Sequence, residues 1–413
     1  MVKPKDSFQN CGVGVVLSNP LLFVVFLILI FLLLLMCGLL FHFRRQLLYN
    51  KHRFNMILAM MRTDNSATMD DNDYSPTAVA LRSGDQWEVS HNKMIVDRAT
   101  VLGRGAYGIV YKGELVGGSS IRQARRSVSV ASSEVAMDVA VKVLADFADS
   151  QDRANFRKEI DFMKSLDYNV HIVNMLGCRT WVASELCLVL ELCRDGDLLT
   201  FVRQLRTAVT ENEQRVQSSD RTQSSSRGAA DMGREAIDKQ LISYSWQVAD
   251  GMVYLSGKRL VHRDLAARNI LLDGEVAKIA DFGLCRLARE DVYVARHGRL
   301  PIKWMAPESL VDAQYTTKSD VWSYGVLLYE VFSLGATPYP TVQPVDMARH
   351  LVSGERMQQP EQCSDFLYET MRSCWQLAPE LRPTFQSICT TLRGLVESDT
   401  MDLYLETVDL EPI

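Results

Sequence analysis

Asp264 stands in the run Leu260-Val261-His262-Arg263-Asp264-Leu265-Ala266-Ala267-Arg268-Asn269-Ile270-Leu271-Leu272. Beside a hydroxyl, its carboxylate accepts a proton or orients the group as the attacking oxygen becomes nucleophilic. Asn269, five residues on, offers an oxygen ligand to a hard cation. Asp281 follows seventeen residues after Asp264, in Asp281-Phe282-Gly283, behind the buried-strand pattern Val276-Ala277-Lys278-Ile279-Ala280. Asn269 and Asp281 together suit Mg²⁺ held against the phosphates of a nucleotide.

Elements upstream must deliver those phosphates. Val101-Leu102-Gly103-Arg104-Gly105-Ala106-Tyr107-Gly108-Ile109-Val110-Tyr111 reads as a strand, a glycine-rich turn and a second strand. Glycines 103, 105 and 108 let a backbone approach a polyphosphate without Cβ clashes. Val110 is placed to cover a flat ring. Glycines at this spacing also open dinucleotide-binding units, but those continue into a helix; here a strand pattern follows. Val139-Ala140-Val141-Lys142 ends a short apolar strand on a lysine, which is costly to bury without a partner. The run from Asn155 predicts a helix with Phe156, Ile160 and Met163 on one face, and Glu159 is the natural partner for Lys142. Taken alone, such a lysine and glutamate are ordinary surface residues; their place in the ordered series reverses that.

Ala306-Pro307-Glu308 and Arg382 complete the series. Glycine loop, Lys142, Glu159, Asp264 to Asn269, Asp281-Phe282-Gly283 and Ala306-Pro307-Glu308 occur in this order over some 200 residues. The set resembles the protein kinase family, and more closely the receptor tyrosine kinases, over roughly residues 95–397. The resemblance implies an α+β, two-lobed kinase fold, with a five-stranded sheet and one helix above a mainly helical lobe. It implies ATP and Mg²⁺ as cofactors, with Leu102, Gly103, Gly105, Gly108, Val110, Ala140, Lys142, Glu191, Cys193 and Leu271 around the nucleotide. The hinge is then Glu191-Leu192-Cys193, with Leu190 as gatekeeper. Lys142, Glu159, Asp264 and Arg268 form the catalytic set, and Asn269 and Asp281 hold the metal.

Tyrosine specificity is likewise implied by resemblance. Serine/threonine kinases carry a lysine two residues after the catalytic aspartate; here it is Ala266. Arg268 completes the Ala-Ala-Arg form, and Leu300-Pro301-Ile302-Lys303-Trp304-Met305 resembles the tyrosine-kinase substrate platform. Within that group the chain is similar to the split-kinase receptors for platelet-derived, vascular endothelial and fibroblast growth factors. About Arg206 to Asp238 is polar, with almost no large apolar residues, and is expected as an insert that packs no core; a helix pattern resumes at Leu241. The insert contains no tyrosine, which makes it a poor phosphotyrosine docking site. Glu308 and Arg382 are expected to form a buried ion pair and Asp320 to anchor the catalytic loop. His262, Phe282 and Met163 are expected to stack into an internal spine, whereas His171 and Trp375 read as packing. A binding-only membrane scaffold and a serine/threonine enzyme are the rival readings.

The chain has 413 residues, with 47% apolar and 23% charged residues and a net charge of −5. That composition is globular, and the absence of a basic field excludes a nucleic-acid protein. Nine cysteines lack any C-x-x-C pair, which argues against a disulfide framework or zinc ribbon. Leu21 to Phe41 is 21 residues without a charge, enough to span a bilayer and longer than a signal-peptide core. Arg44, Arg45, Lys51, Arg53 and Arg62 follow it, against only Lys3 and Lys5 before it, so the downstream side is expected in the cytoplasm. The expectation is a single-pass cell-membrane protein with about 20 residues outside, too few for a ligand-binding domain. Residues 44–62 read either as a stop-transfer flank or as a helix on the inner leaflet. Residues 70–85 read as a linker.

Tyr49 and Tyr74 are phosphorylation candidates. Gly117 to Glu134 is long and reads as a solvated loop or a basic patch. Tyr293 is the single tyrosine between Asp281 and Glu308 and is expected as an autophosphorylation site. Tyr404, flanked by Asp402 and Glu406, is expected as a docking site for SH2-domain proteins. Tyrosine-containing protein substrates, the lipid bilayer and a second receptor chain are the other expected partners.

Overall fold

A computed structural model of the chain describes residues 85–397, except 106–107, 117–135, 146–147, 183–184, 219–224, 288–299 and 362. The apolar run Leu21 to Phe41, Tyr49, Tyr74, the loop Gly117 to Glu134, Tyr293 and Tyr404 lie outside the described residues. Among the described residues no helix is long and apolar enough to cross a membrane.

The first lobe is built on β1 (Met94–Gly105), β2 (Gly108–Val116), β3 (Ala136–Leu144), β4 (Met175–Arg179) and β5 (Cys187–Glu191). They form an antiparallel sheet in the order β1-β2-β3-β5-β4. In the central strand β3, Val139 and Val141 are fully buried, in a small cluster with Met94, Leu115, Leu176, Cys187 and Val189. The alternate residues Ala140 and Lys142 project from the other face, as the period of two requires. Gly108 permits the β2–β3 pairing: a Cβ there would sit 2.1 Å from the Val143 carbonyl oxygen.

The helix α1 (Ser150–Lys164) packs on this sheet. Asp149 and Asp152 cap it reciprocally. Phe156, Glu159, Ile160 and Met163 are its buried face, at the spacing of one helical stripe.

The second lobe carries α2 (Leu198–Ser218), α3 (Ser225–Gly257), α4 (Pro307–Asp312), α5 (Thr317–Phe332), α6 (Met347–Val352), α7 (Asp365–Cys374) and α8 (Phe385–Glu397). Besides the main sheet, two short antiparallel pairs occur among the described residues, β6 (Leu260–Val261) with β9 (Arg286–Leu287) and β7 (Ile270–Asp273) with β8 (Val276–Ile279). Helix α5 is the centre of the lobe: Trp322, Tyr324, Val326, Leu327, Leu328 and Val331 are fully buried. A two-lobed α+β fold is therefore present, as expected.

The polar stretch 206–238 differs from expectation. Helix α2 continues to Ser218, and α3 begins at Ser225 rather than near Leu241. Good helix formers such as Arg, Gln, Glu and Ala sustain a helix without a core to bury. Ile237, at the end of the stretch, is half-buried against the core.

Candidate active site

A cleft of about 350 Å³ separates the sheet from the helical lobe, within the range of small-molecule sites. Its walls include all ten residues expected around a nucleotide: Leu102, Gly103, Gly105, Gly108, Val110, Ala140, Lys142, Glu191, Cys193 and Leu271. Glu159, Arg268, Asn269 and Asp281 line it as well. A Cβ at Gly103 would meet nothing within 4 Å, and one at Gly105 only the Gly108 oxygen at 3.9 Å. Packing among the described residues does not require glycine at either position.

Lys142 Nζ donates to Glu159 Oε1 at 2.6 Å and to Asp281 Oδ1 at 3.4 Å. Burial by itself would lower the lysine pKa, but the two carboxylates outweigh it and hold the ammonium above its ordinary range. Lys142 in turn holds the Asp281 carboxyl below its ordinary range. Asp281 has φ of 59°, a left-handed conformation at a non-glycine residue.

The segment from His262 to Asn269 is fixed by two carboxylates ten residues apart on α5. Asp320 accepts from the backbone N–H groups of His262 (2.8 Å) and Arg263 (3.0 Å), holding Arg263 at φ 70°. Burial pushes the Asp320 carboxyl up to about 7, against those two donors. Glu330 Oε2 accepts from Ala267 N at 2.9 Å and from Trp304 Nε1 at 2.9 Å. The Arg268 guanidinium lies 4.5 Å from the centre of the Trp304 ring and pairs with Asp264. Thus Glu330 and Trp304 tie the Ala-Ala-Arg segment to the Ile302–Trp304 turn of the platform.

Asp264 is bound to the cleft through its neighbours. Asn269 Nδ2 donates to the Asp264 carbonyl at 2.7 Å. Burial pushes the Asp264 carboxyl up to about 6, with Arg268 opposing the shift. His262 packs edge-on to Phe282 at 5.4 Å and donates through Nε2 to the Ala280 carbonyl at 3.1 Å. Burial lowers its ring to about 4, so it is a neutral packing group here. The Phe162 ring also stacks on Phe282, at 5.7 Å, and Met163 is buried in the same cluster as Phe282.

Glu308 and Arg382 form the expected buried pair, with bonds of 2.6 and 2.8 Å. Behind the hinge, Glu191 accepts from Asn174 at 2.8 Å and pairs with Lys278 at 3.0 Å. Neither of those partners, nor Glu330, was singled out from sequence. A lone acid in the apolar run Val326-Leu327-Leu328-Tyr329-Glu330-Val331-Phe332 is the available signal, because a buried carboxylate needs donors. The Cys193 thiol in the hinge is pushed up to about 12 by burial, so it is not a thiolate nucleophile. Among the described residues the cysteines are free and no group of three His, Cys, Asp or Glu is arranged to hold a metal ion.

Residues 96–392 match the family of protein tyrosine and serine/threonine kinases. The chain belongs to this kinase family. It is 42% identical over 308 residues to a putative tyrosine-protein kinase of Caenorhabditis elegans, covering 74% of this chain and 34% of the relative. It is 34% identical over 352 residues to the tyrosine-protein kinase receptor torso of Bombyx mori, covering 79% and 41%. It is 36% identical over 346 residues to a vascular endothelial growth factor receptor of Danio rerio, covering 76% and 24%. The kinase thus spans between 24% and 41% of the length of these curated relatives.

Proposed function

We propose that this kinase transfers the γ-phosphoryl group of ATP to tyrosine hydroxyls of proteins, itself included, in transmembrane signalling. The observation that carries the proposal is the convergence of Lys142, Glu159, Asp281, Asn269 and Arg268 on one cleft, with Asp264 beside it, paired to Arg268 and bonded through its carbonyl to Asn269. The names of its relatives, tyrosine-protein kinases and receptors, support tyrosine as the acceptor.

In this mechanism the leucine, valine and alanine side chains of the cleft enclose the adenine ring, and the hinge backbone reads its edge. Lys142, held by Glu159, positions the α and β phosphates. The oxygens of Asp281 and Asn269 are a hard donor pair that would hold Mg²⁺. When bound, Mg²⁺ neutralises phosphate charge. Asp264 orients the phenol and takes its proton as the Oη–P bond forms and the bond from phosphorus to the ADP oxygen breaks. Arg268, stacked on Trp304, shares the Asp264 carboxylate. Ala266 is fully buried, so no lysine occupies that position.

The membrane part of the reading rests on Leu21 to Phe41 and on its basic flank: a single pass, with the kinase domain in the cytoplasm. Tyr293 is proposed as the autophosphorylation site and Tyr404 as a docking site for SH2-domain proteins. Phosphoamino-acid analysis of protein labelled by the full chain tests the central statement. Phosphotyrosine is expected; phosphoserine or phosphothreonine alone, or no transfer, refutes it.

A further inference from the structure

A second cavity, of about 560 Å³, lies in the first lobe away from the nucleotide cleft. Its lining includes the apolar side chains of Met94, Val96, Val143 and Leu186. Its charged residues are Arg98 from β1, Arg153 from α1, Arg179 from β4, and Glu185, together with His91. Arg179 is fixed: its Nη2 reaches the carbonyls of His91 at 3.0 Å and Met94 at 3.3 Å, and its Nε is buried without a partner. Glu185 is engaged by His91 at 3.3 Å and by Arg179 at 3.7 Å. Among the described residues no carboxylate pairs with Arg98 or Arg153. Arg98 instead lies 5.9 Å from the centre of the Tyr111 ring, at the same cavity. Of the three guanidiniums at the cavity, only that of Arg179 pairs with Glu185.

A cavity that combines apolar side chains with guanidiniums from three elements suits an aromatic group that carries a dianion. We infer that this cavity binds a phosphotyrosine side chain presented by an acidic peptide. The ring packs against the apolar side chains, and the phosphate oxygens accept from Arg98 and Arg153. The supply of that ligand rests on the proposed tyrosine phosphotransfer, whose product it is; the binding itself does not. The site would let the kinase hold a phosphorylated segment on the lobe that carries α1 and Glu159. An acidic stretch of this chain, Met69 to Val79, carries Asp70, Asp71 and Asp73 ahead of Tyr74 and supplies a probe sequence.

The test titrates the full chain, its nucleotide cleft filled with a non-hydrolysable ATP analogue, with a synthetic 69–79 peptide phosphorylated at Tyr74. The same peptide unphosphorylated, the same peptide with phosphoserine at that position, and inorganic phosphate are the comparison arms. The phosphotyrosine peptide is expected to bind at least about tenfold more tightly than any of these. R98A and R153A are each expected to weaken it by about tenfold or more, with melting temperature and transfer to an exogenous peptide unchanged. Equal binding of the unphosphorylated or phosphoserine peptide, or of phosphate alone, overturns the inference. So does binding unchanged in both variants, or no binding of the phosphotyrosine peptide at all. Because the peptide is made chemically, binding is read even if the chain transfers no phosphate, so the two proposals fail separately.

Discussion

Two buried ion pairs of this kinase invite comparison. Arg382 is saturated: besides two bonds to Glu308, it donates to the carbonyls of Gln376 and Lys318 at 2.8 Å each, and stacks over Trp322 at 5.1 Å. Lys142 has Glu159 at 2.6 Å and a looser bond to Asp281 at 3.4 Å, on the wall of a cleft. Both cations are buried, at 2% and 9% exposure. The first pair has no coordination left to offer and locks α4, α5 and the turn before α8. The second keeps a carboxylate and an ammonium facing a cavity, where a ligand can replace one contact with another. A buried charge pair therefore identifies a site only when it borders a space.

The contrast predicts opposite outcomes on activity and stability. Asp264→Asn is expected to lower kcat for phosphotransfer by about 10²–10⁴-fold, while the fold is retained. Since burial raises the folded-state pKa of Asp264, its charge costs stability at pH 8, and removing it leaves the melting temperature at or above that of the parent. A large loss of stability would show Asp264 to be structural. Arg382→Ala should do the reverse. Leaving Glu308 without its partner is expected to cost about 3–5 kcal/mol in denaturant unfolding, and a cost below 1 kcal/mol would break the comparison. Lys142→Met should abolish transfer yet destabilise less than Arg382→Ala, because water entering the cleft can solvate Glu159.

Glu330→Gln lies between the two cases. It keeps one acceptor for Ala267 and Trp304 and is expected to cost about 1–3 kcal/mol at most, with kcat reduced and the KM for ATP little changed. A rise in the KM for ATP alone would remove Glu330 from the substrate side. The smallest effect is on pH dependence. With the Asp264 carboxyl at about 6, protonation below that value removes the acceptor, so kcat/KM falls about tenfold per pH unit on the acid side. A flat profile down to pH 5 would contradict this.

Much of the site was legible because its positions follow short-period rules. The alternation of Val139, Ala140, Val141 and Lys142 sends the lysine to the face opposite the buried valines. Glu159 falls on the same helical stripe as Phe156 and Met163, and so faces it. Met163, expected with His262 and Phe282, is buried in the same cluster as Phe282, and the Phe162 ring, which the stripe did not include, stacks on Phe282 as well. The helical ends of the stretch 206–238 were not legible from hydrophobic pattern, since its sequence carries almost no large apolar residues to mark a stripe. Glu330, Asn174 and Lys278 act through partners far away in sequence, and no spacing rule reports them. The arginine-rimmed cavity is assembled from several separate elements and is visible only in three dimensions.

The central claim is that Lys142, Asp281 and Asp264 serve one bound nucleotide, with Asp264 acting on the acceptor rather than on ATP. Measuring Mg·ATP affinity and tyrosine-peptide phosphorylation side by side in Asp264→Asn addresses it directly. Nucleotide affinity within about twofold of the parent, with transfer reduced at least about a hundredfold, is the predicted result. Transfer retained in this variant, or lost only because ATP no longer binds, would contradict it.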